Sequence, residues 1–398
     1  MKLYAKIFVL LFVMLQSVLV SNAETYYVSL LTGNDTLSSH NGRSLDKAYR
    51  TIQKAVDNAG TNDEIKVYGL ELPAKDMPAA DSARISKIDT VYRETVVINN
   101  GKIGLKITGV GNPVLGYDPS MKDIFAVAGF LVRSDVVTIE GFTIRNYKDN
   151  DKNLFGMYGG GGIICDSRTV RADIKNNTIE NCNWGVVLYG NEACKVDGNK
   201  IRNITKAEVE ADWNGGTGIM LWSDGKFLQK NEIGLEEGNV VEKCESYGIC
   251  VGGVENPAFL DRSKINNNTI RECSGFGMGI FNLEGIVSVR FNNFENNNID
   301  LFLSGINIDT YIGNNVFMGS TGESVVVADN TYDGYMLFDI WKYNENTFEP
   351  RTAVALYRNS EQIIGTDEYR AIRNSIEKAK EDAGMTGRAF EFNEIETK

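Results

Sequence analysis

One histidine, His40, stands among 398 residues. Ser-His-Asp and Cys-His catalysis both need an imidazole beside the nucleophile, so neither is expected of this chain. Basic charge is also short. Lys and Arg number 41 against 53 Asp and Glu, a net charge of −12 at pH 7. That balance argues against a nucleic-acid partner and against an anionic membrane surface. It also weighs against a polyanionic ligand unless a local basic groove overrides the total. No apolar run beyond residue 23 approaches the roughly 18 residues of a membrane span. Six cysteines are present, in no zinc-ligand spacing.

The first residues do carry an apolar run. Lys2 and Lys6 precede it, residues 7–15 form it, and Ser21-Asn22-Ala23 supplies small residues for cleavage. Residues 1–23 therefore read as a secretory signal peptide. No cysteine follows the cleavage site to take a lipid anchor, so a secreted or periplasmic chain is expected.

What the rest of the sequence has in abundance is itself. "IKNNTIENC" at 174–182 returns as "INNNTIREC" at 265–273. The shared skeleton is an apolar residue, Asn three positions on, an apolar residue two further and, in several copies, Cys three beyond that. Its Asn slot falls at 177, 199, 239, 268, 292 and 315, and Gly141 fills it in "TIEGFTIRN". A second signature, Gly followed by alternating apolar positions, occurs as "GIIC" at 162–165, "GVVL" at 185–188, "GIML" at 218–221, "GICV" at 248–251 and "GMGI" at 277–280. Alternation over runs this short is strand periodicity. A unit of about 22 residues built from short strands and tight turns describes a parallel β-helix, with coils stacked at about 4.8 Å. The Asn is expected to bend the chain at positive φ and to hydrogen-bond along the stack. Cys182, Cys244 and Cys273 share one inward slot with Ile204, and Cys165 and Cys250 share a strand context. Disulfides are usual in exported proteins, but a shared slot predicts buried, reduced thiols.

Residues 24–130 read as a cap and the first coils. A helix with Ala48, Ile52, Ala55, Val56 and Ala59 on its apolar stripe is expected to cover the open end. "DEIKVYG" at 63–69 is expected to begin the coils, and 71–90 reads as an inserted loop. Coils with the Asn ladder occupy 131–349, and 350–398 reads as a helical tail or cap. Within it, Ile372, Ile376, Ala379 and Ala383 share one face.

"TYYVSLLTGNDTLSSHNGRSLDKAYRTIQKAV", "DEIKVYG", "YRETVVI" and "GNPVLG" together resemble the opening of the exported right-handed β-helix proteins. These include family-nine pectate lyases, chondroitinase B-like enzymes and alginate lyases, and they have many bacterial relatives. The resemblance spans about residues 25–118, and the Asn-ladder coils extend it to about 349. It implies an all-β solenoid, a right-handed parallel β-helix with an N-terminal helical cap, to which the residue pattern of the tail adds a C-terminal helix. It also implies a polysaccharide partner. Such lyases use a Lys or Arg to remove the proton α to a uronate carboxylate, with Ca²⁺ or a basic group neutralising that carboxylate. The clustered aspartates of family nine, and the Ser-x-Lys-Ser and Arg-His-Gly elements of the chondroitinase B-like group, do not occur here.

Candidates come instead from position. In each Gly-led strand the middle residue points outward, giving the row Ile164, Val187, Met220, Cys250, Gly279 and Phe302. Trp184, Tyr189, Trp213, Trp222, Tyr247 and Phe281 flank it, with Asp224 and Glu284 among them. Aromatic faces beside carboxylates suit sugar stacking and hydrogen bonding; aromatics that merely cover turns are the alternative. Lys226, Lys195 and Arg168 follow successive strands as candidate bases. Asp149, Asp151 and Asn153 are candidate Ca²⁺ ligands in a loop that is otherwise simply solvated. The expectation is a monomeric, carbohydrate-active protein that acts like a polysaccharide lyase on uronate-containing polymers by β-elimination. A non-catalytic glycan-binding or adhesion solenoid is the second reading, and a scaffold without a ligand the third.

Overall fold

The structure is a computed structural model. It describes residues 23–69, 90–117, 128–148, 159–166, 169–207, 215–223, 228–253, 258–284, 287–306, 310–328, 345–348, 354–358, 361–362 and positions 367, 370, 374 and 378. The expected signal peptide and the expected 71–90 loop lie outside these, apart from Ala23 and Thr90.

Three parallel sheets run the length of a solenoid, so the parallel β-helix expected from the repeat is the fold. Sheet 1 has ten strands, from Thr25–Ser29 to Tyr311–Gly313. Sheet 2 has thirteen, and its path runs from Val96–Ile98 to Glu361–Gln362. Sheet 3 has ten, from Val91–Tyr92 to Thr347–Phe348. Coils between the first and the last cross all three. Trp184–Tyr189 lies in sheet 2, Lys195–Asp197 in sheet 1 and Lys200–Ile204 in sheet 3. The alternating apolar residues turn inward and stack, as Ile174 does on Ile139 and Val196. At the far end Phe294, Phe317 and Phe348 stack at 4.9 and 4.8 Å. One continuous core results.

The Asn ladder is complete. Asn177, Asn199, Asn239, Asn268, Asn292, Asn315 and Asn346 are buried at the corner between sheets 1 and 3. From Asn199 onward, each Oδ1 accepts both the backbone N–H and the Nδ2 of the preceding ladder Asn, at 2.8–3.1 Å. Each Nδ2 also donates to a backbone carbonyl one coil back, as Asn268 does to Ile233 at 3.0 Å. Buried turn amides thereby keep partners that water cannot supply. Asn346 is a rung that the repeat template missed.

Three expectations are corrected at this corner and near it. The ladder Asn is not the residue at positive φ. That role belongs to the residue before it: Asn176 (φ 55), Gly198 (φ 64), Gly238 (φ 77), Asn267 (φ 58) and Asn314 (φ 57). Bend and hydrogen-bond ladder are thus divided between two neighbours. Gly141 (φ 80) occupies the bend, and Phe142 takes the ladder position, its N–H donating to Asn177 Oδ1. Finally, Cys165 and Cys250 are not equivalent. Cys165 pairs with Leu188 and faces the inner core. Cys250 pairs with Met220 and faces outward.

All six cysteines are free and buried, in accord with a reduced stack. Burial pushes the Cys182 and Cys194 thiols up to about 12. Helix α1 (Ile52–Asn58) buries Ile52, Ala55 and Val56 against the core. Glu94 accepts the Ile52 and Gln53 N–H groups at 2.8 Å each, which satisfies two of the helix's orphan donors. The coils begin earlier than expected, because Thr25–Ser29 already pairs with Glu64–Tyr68 and α1 lies between them in sequence. Of the expected C-terminal helix, Asp367, Arg370, Asn374 and Lys378 are helical and exposed. Its apolar positions lie outside the described residues.

Candidate functional site

The Gly-led strands all belong to sheet 2. Their leading glycines sit where the sheet closes onto sheet 3. A Cβ on Gly162 would lie 2.5 Å from Ile179 Cγ2 and 2.7 Å from the Gly185 carbonyl oxygen, so nothing larger fits without displacing a coil.

Beyond each glycine the middle residue turns away from the inner core, as expected, but not into water. Ile164, Val187, Met220 and Cys250 form a second buried cluster outside the barrel, together with Ala128, Leu131, Trp184 and Trp222. Trp184 is only 2% exposed and Trp222 3%. Both indoles are therefore packed into the sheet's outer layer rather than standing as open sugar platforms. Farther along, the layer thins. Tyr247, Phe276, Phe281 and Phe302 are half-buried. Tyr247 stacks on Phe276 at 5.1 Å and meets Phe281 edge-on at 5.7 Å. Phe302 lies 5.0 Å from Phe276 and 5.5 Å from Phe281. Gly279 makes this possible, since a Cβ there would come within 2.7 Å of both the Tyr247 and Phe281 rings. Burial pushes the Tyr247 hydroxyl up to about 12, which keeps it neutral and able to donate. Tyr189 packs half-buried against the same outer cluster.

The remaining candidates divide. Glu284 ends the sheet 2 strand Phe276–Glu284, paired with Phe259. Arg168, Trp213, Asp224 and Lys226 lie outside the described residues, as do Asp149, Asp151 and Asn153. Among the described residues no group of three or more His, Cys, Asp or Glu is placed to hold a metal. Lys195 was expected beside the Gly-led strands and is not there. It projects from sheet 1, in register between Asp173 and Glu232. There it ion-pairs with Glu232 at 3.5 Å, a carboxylate shared with Lys264 at 3.4 Å.

The sequence reading missed a site on sheet 3. A groove of about 460 Å³ is lined by Thr178, Lys200, Ile201, Arg202, Val240, Glu242 and Arg271. Arg202, Glu242 and Arg271 of this lining belong to a longer column of alternating charge, Arg145, Glu180, Arg202, Glu242, Arg271 and Glu295, each in register with the next. Arg202 donates Nε and Nη2 to Glu180 Oε2 at 2.9 and 2.6 Å. Arg271 makes the same fork to Glu242 at 2.7 and 2.6 Å, and this bond raises its pKa further. The signal is legible once units are aligned. The strands open "TIR", "TIE", "KIR", "VVE", "TIR" and "NFE", and the third letter alternates in sign.

No protein family and no curated protein matches the chain by sequence. Solved structures with a similar fold include a rhamnogalacturonan lyase, at 13% identity with 87% of this chain and 90% of that chain covered and a TM-score of 0.49. The alginate lyase from Paenibacillus sp. str. FPU-7 is 13% identical over 78% of this chain and 95% of that one, with a TM-score of 0.38. The Dettilon tailspike protein is 15% identical over 84% and 68%, with a TM-score of 0.43. At this distance the likeness is one of fold alone.

Proposed function

We propose that this is an exported, carbohydrate-active β-helix protein that lays a uronate-containing glycan along the outer face of sheet 2 and cleaves it by β-elimination. The observation that supports this reading is the half-buried group of Tyr247, Phe276, Phe281 and Phe302 about Gly279. Rings held by one another on a rigid sheet offer apolar faces to sugar C–H groups with little entropy left to lose. Arg168 and Lys226 follow the sheet 2 strands Gly161–Cys165 and Thr217–Ser223 directly in sequence, and are the proposed bases. In the reaction the base takes the proton from C5 of the uronate. The C4–O bond to the departing sugar breaks, a C4=C5 double bond forms, and the leaving oxygen gains a proton. Ca²⁺ is proposed at Asp149, Asp151 and Asn153, which offer two carboxylates and an amide oxygen.

A non-catalytic glycan-binding protein is the second reading. It is favoured by the position of Lys195, which spends its charge in an ion pair on another sheet. One experiment separates the two. The protein is incubated with pectate, alginate and glycosaminoglycan polymers, with and without EDTA, and absorbance of the unsaturated product is followed. The lyase reading expects product from at least one polymer, lost in Lys226→Ala and reduced in Tyr247→Ala. Retention of polymer with no absorbance change supports the binding reading. Neither retention nor product supports a scaffold.

A further inference from the structure

The alternating column on sheet 3 is not neutral when viewed from solvent. The carboxylates are recessed and the guanidinium groups stand above them. Side-chain exposure is 49% for Arg202 against 14% for Glu180, and 40% for Arg271 against 17% for Glu242. Each Glu grips its Arg through Nε and Nη2. Among the described residues no hydrogen bond engages Nη1 of either, so each planar fork is held in place with donors to spare. Lys200 lies two residues before Arg202 on the same outward face. It is exposed and makes no ion pair among the described residues. A chain of net charge −12 therefore carries a groove whose most exposed charged groups are cationic, with Glu242 recessed among them.

The spacing narrows the ligand. Arg202 and Arg271 are two coils apart, with Glu242 on the coil between. Adjacent coils are about 4.8 Å apart, so the two Arg positions repeat at about 9.6 Å along the groove, with Glu242 on the intervening strand and its carboxylate bonded to Arg271 at 2.7 Å. An extended glycan advances by about one coil spacing per sugar. A polymer with a carboxylate on every second sugar meets a cation at each charge. One with a carboxylate on every sugar must also set a charge against Glu242.

We infer that the sheet 3 groove is a second glycan site, one that selects acidic polysaccharides in which uronate alternates with a neutral sugar. Lys200 and Arg202 take one carboxylate and Arg271 the next. The inference rests on the reading of the chain as a glycan-binding protein but uses a different face from the aromatic group on sheet 2, so the two fail separately.

The test is equilibrium binding of the whole protein to an unsulfated polymer of alternating glucuronate and N-acetylhexosamine, and to polygalacturonate, at low and at physiological salt. The alternating polymer is expected to bind at least tenfold more tightly at low salt and to weaken as salt rises. Lys200→Gln combined with Arg202→Gln should reduce that affinity at least tenfold. Lys264→Gln, which removes an exposed cation on sheet 1, should change it less than twofold. Glu242→Gln should improve polygalacturonate binding severalfold, a gain that a misfolded variant cannot show. Equal binding of the two polymers, absence of binding to the alternating one, or unchanged affinity in the Lys200→Gln, Arg202→Gln variant overturns the inference. If Tyr247→Ala abolishes product release while all sheet 3 variants bind as wild type, the site on sheet 2 stands and this one falls.

Discussion

On four successive coils, sheet 2 turns Ile164, Val187, Met220 and Cys250 outward, while sheet 3 turns Glu180, Arg202, Glu242 and Arg271 outward. The coils are shared, the inner faces are alike, and the alternation in and out is the same. Yet one outer face is a second apolar layer with its middle row 0–4% exposed, and the other is an open strip of ion pairs. Pointing away from a solenoid's core is a statement about pleat, not about water. An outward apolar row needs a cover. An outward row of alternating sign needs only its neighbours, because each charge finds its opposite on the coils above and below. The same logic holds on sheet 1, where Asp173, Lys195, Glu232 and Lys264 alternate in register.

Both faces depend on the Asn corner, and the largest effect is expected there. Asn268→Leu removes the acceptor for the Asn239 N–H and Nδ2 and the donor to the Ile233 carbonyl. With about 1–3 kcal/mol for each buried group left unsatisfied, a loss of roughly 4 kcal/mol is expected. Both faces should then lose structure in a single transition, read by tryptophan fluorescence and far-UV dichroism in urea. Asn296→Leu, at φ 55 but outside this ladder, should cost about 1–2 kcal/mol for the left-handed backbone. Equal midpoints for the two variants would remove the ladder's claim to special importance.

Gly248→Val tests the close approach on sheet 2. A Cβ there would lie 2.5 Å from Ile270 Cγ2 and 2.6 Å from the Gly277 carbonyl oxygen, and roughly 3 kcal/mol of destabilisation is expected. On sheet 3, Thr178→Val at an outward position should change stability by no more than about 0.5 kcal/mol.

Thiol chemistry separates the inner core from the outer layer. Burial raises the thiol pKa of Cys182 from 9.0 to about 12 and pushes Cys250 higher still. A group whose folded pKa is raised stabilises the fold below its unfolded pKa and loses that contribution as pH climbs through the folded value. Stability should therefore decline between about pH 9 and pH 12. In native protein at pH 8 all six thiols should react slowly, with Cys250 first, because its cover is a layer rather than a closed barrel. Labelling of Cys273 ahead of Cys250, followed by mass spectrometry, would reverse the assigned depths.

The smallest effect belongs to the strip itself. Arg202→Ala removes an ion pair that is 49% exposed on the Arg side, and less than about 1 kcal/mol of stability should go with it. If the loss is several times larger, the column supports the fold and its cations are less free to meet a ligand.

Much of the solenoid was legible from residues alone, and the reason is periodicity. Ile174 and Ile265 face inward because Asn177 and Asn268 recur at a fixed offset, and a coil can stack only if its corner repeats. The cap helix was legible in part: Ile52, Ala55 and Val56 form its buried stripe, whereas Ala48 and Ala59, also buried, lie outside the helix Ile52–Asn58. Free thiols were legible because Cys182, Cys244 and Cys273 share a slot with Ile204. The site was much less so. Trp184 and Trp222 looked like surface aromatics because a strand's alternation reports one layer of packing only. Lys195 looked like a neighbour of the Gly-led strands because it follows one in sequence, yet the chain turns a corner before reaching it.

The coil, its corner and its inner core follow from the residues alone, since each depends on contacts between residues at constant offsets within one repeat. The register of neighbouring coils across loops of unequal length was decided only in the tertiary structure. Gaps of 22, 40, 29 and 24 residues separate Asn177, Asn199, Asn239, Asn268 and Asn292, yet each step is one coil in space. Arg202 meets Glu180 and Arg271 meets Glu242 only because the ladder absorbs those differences and holds every coil at the same height and phase.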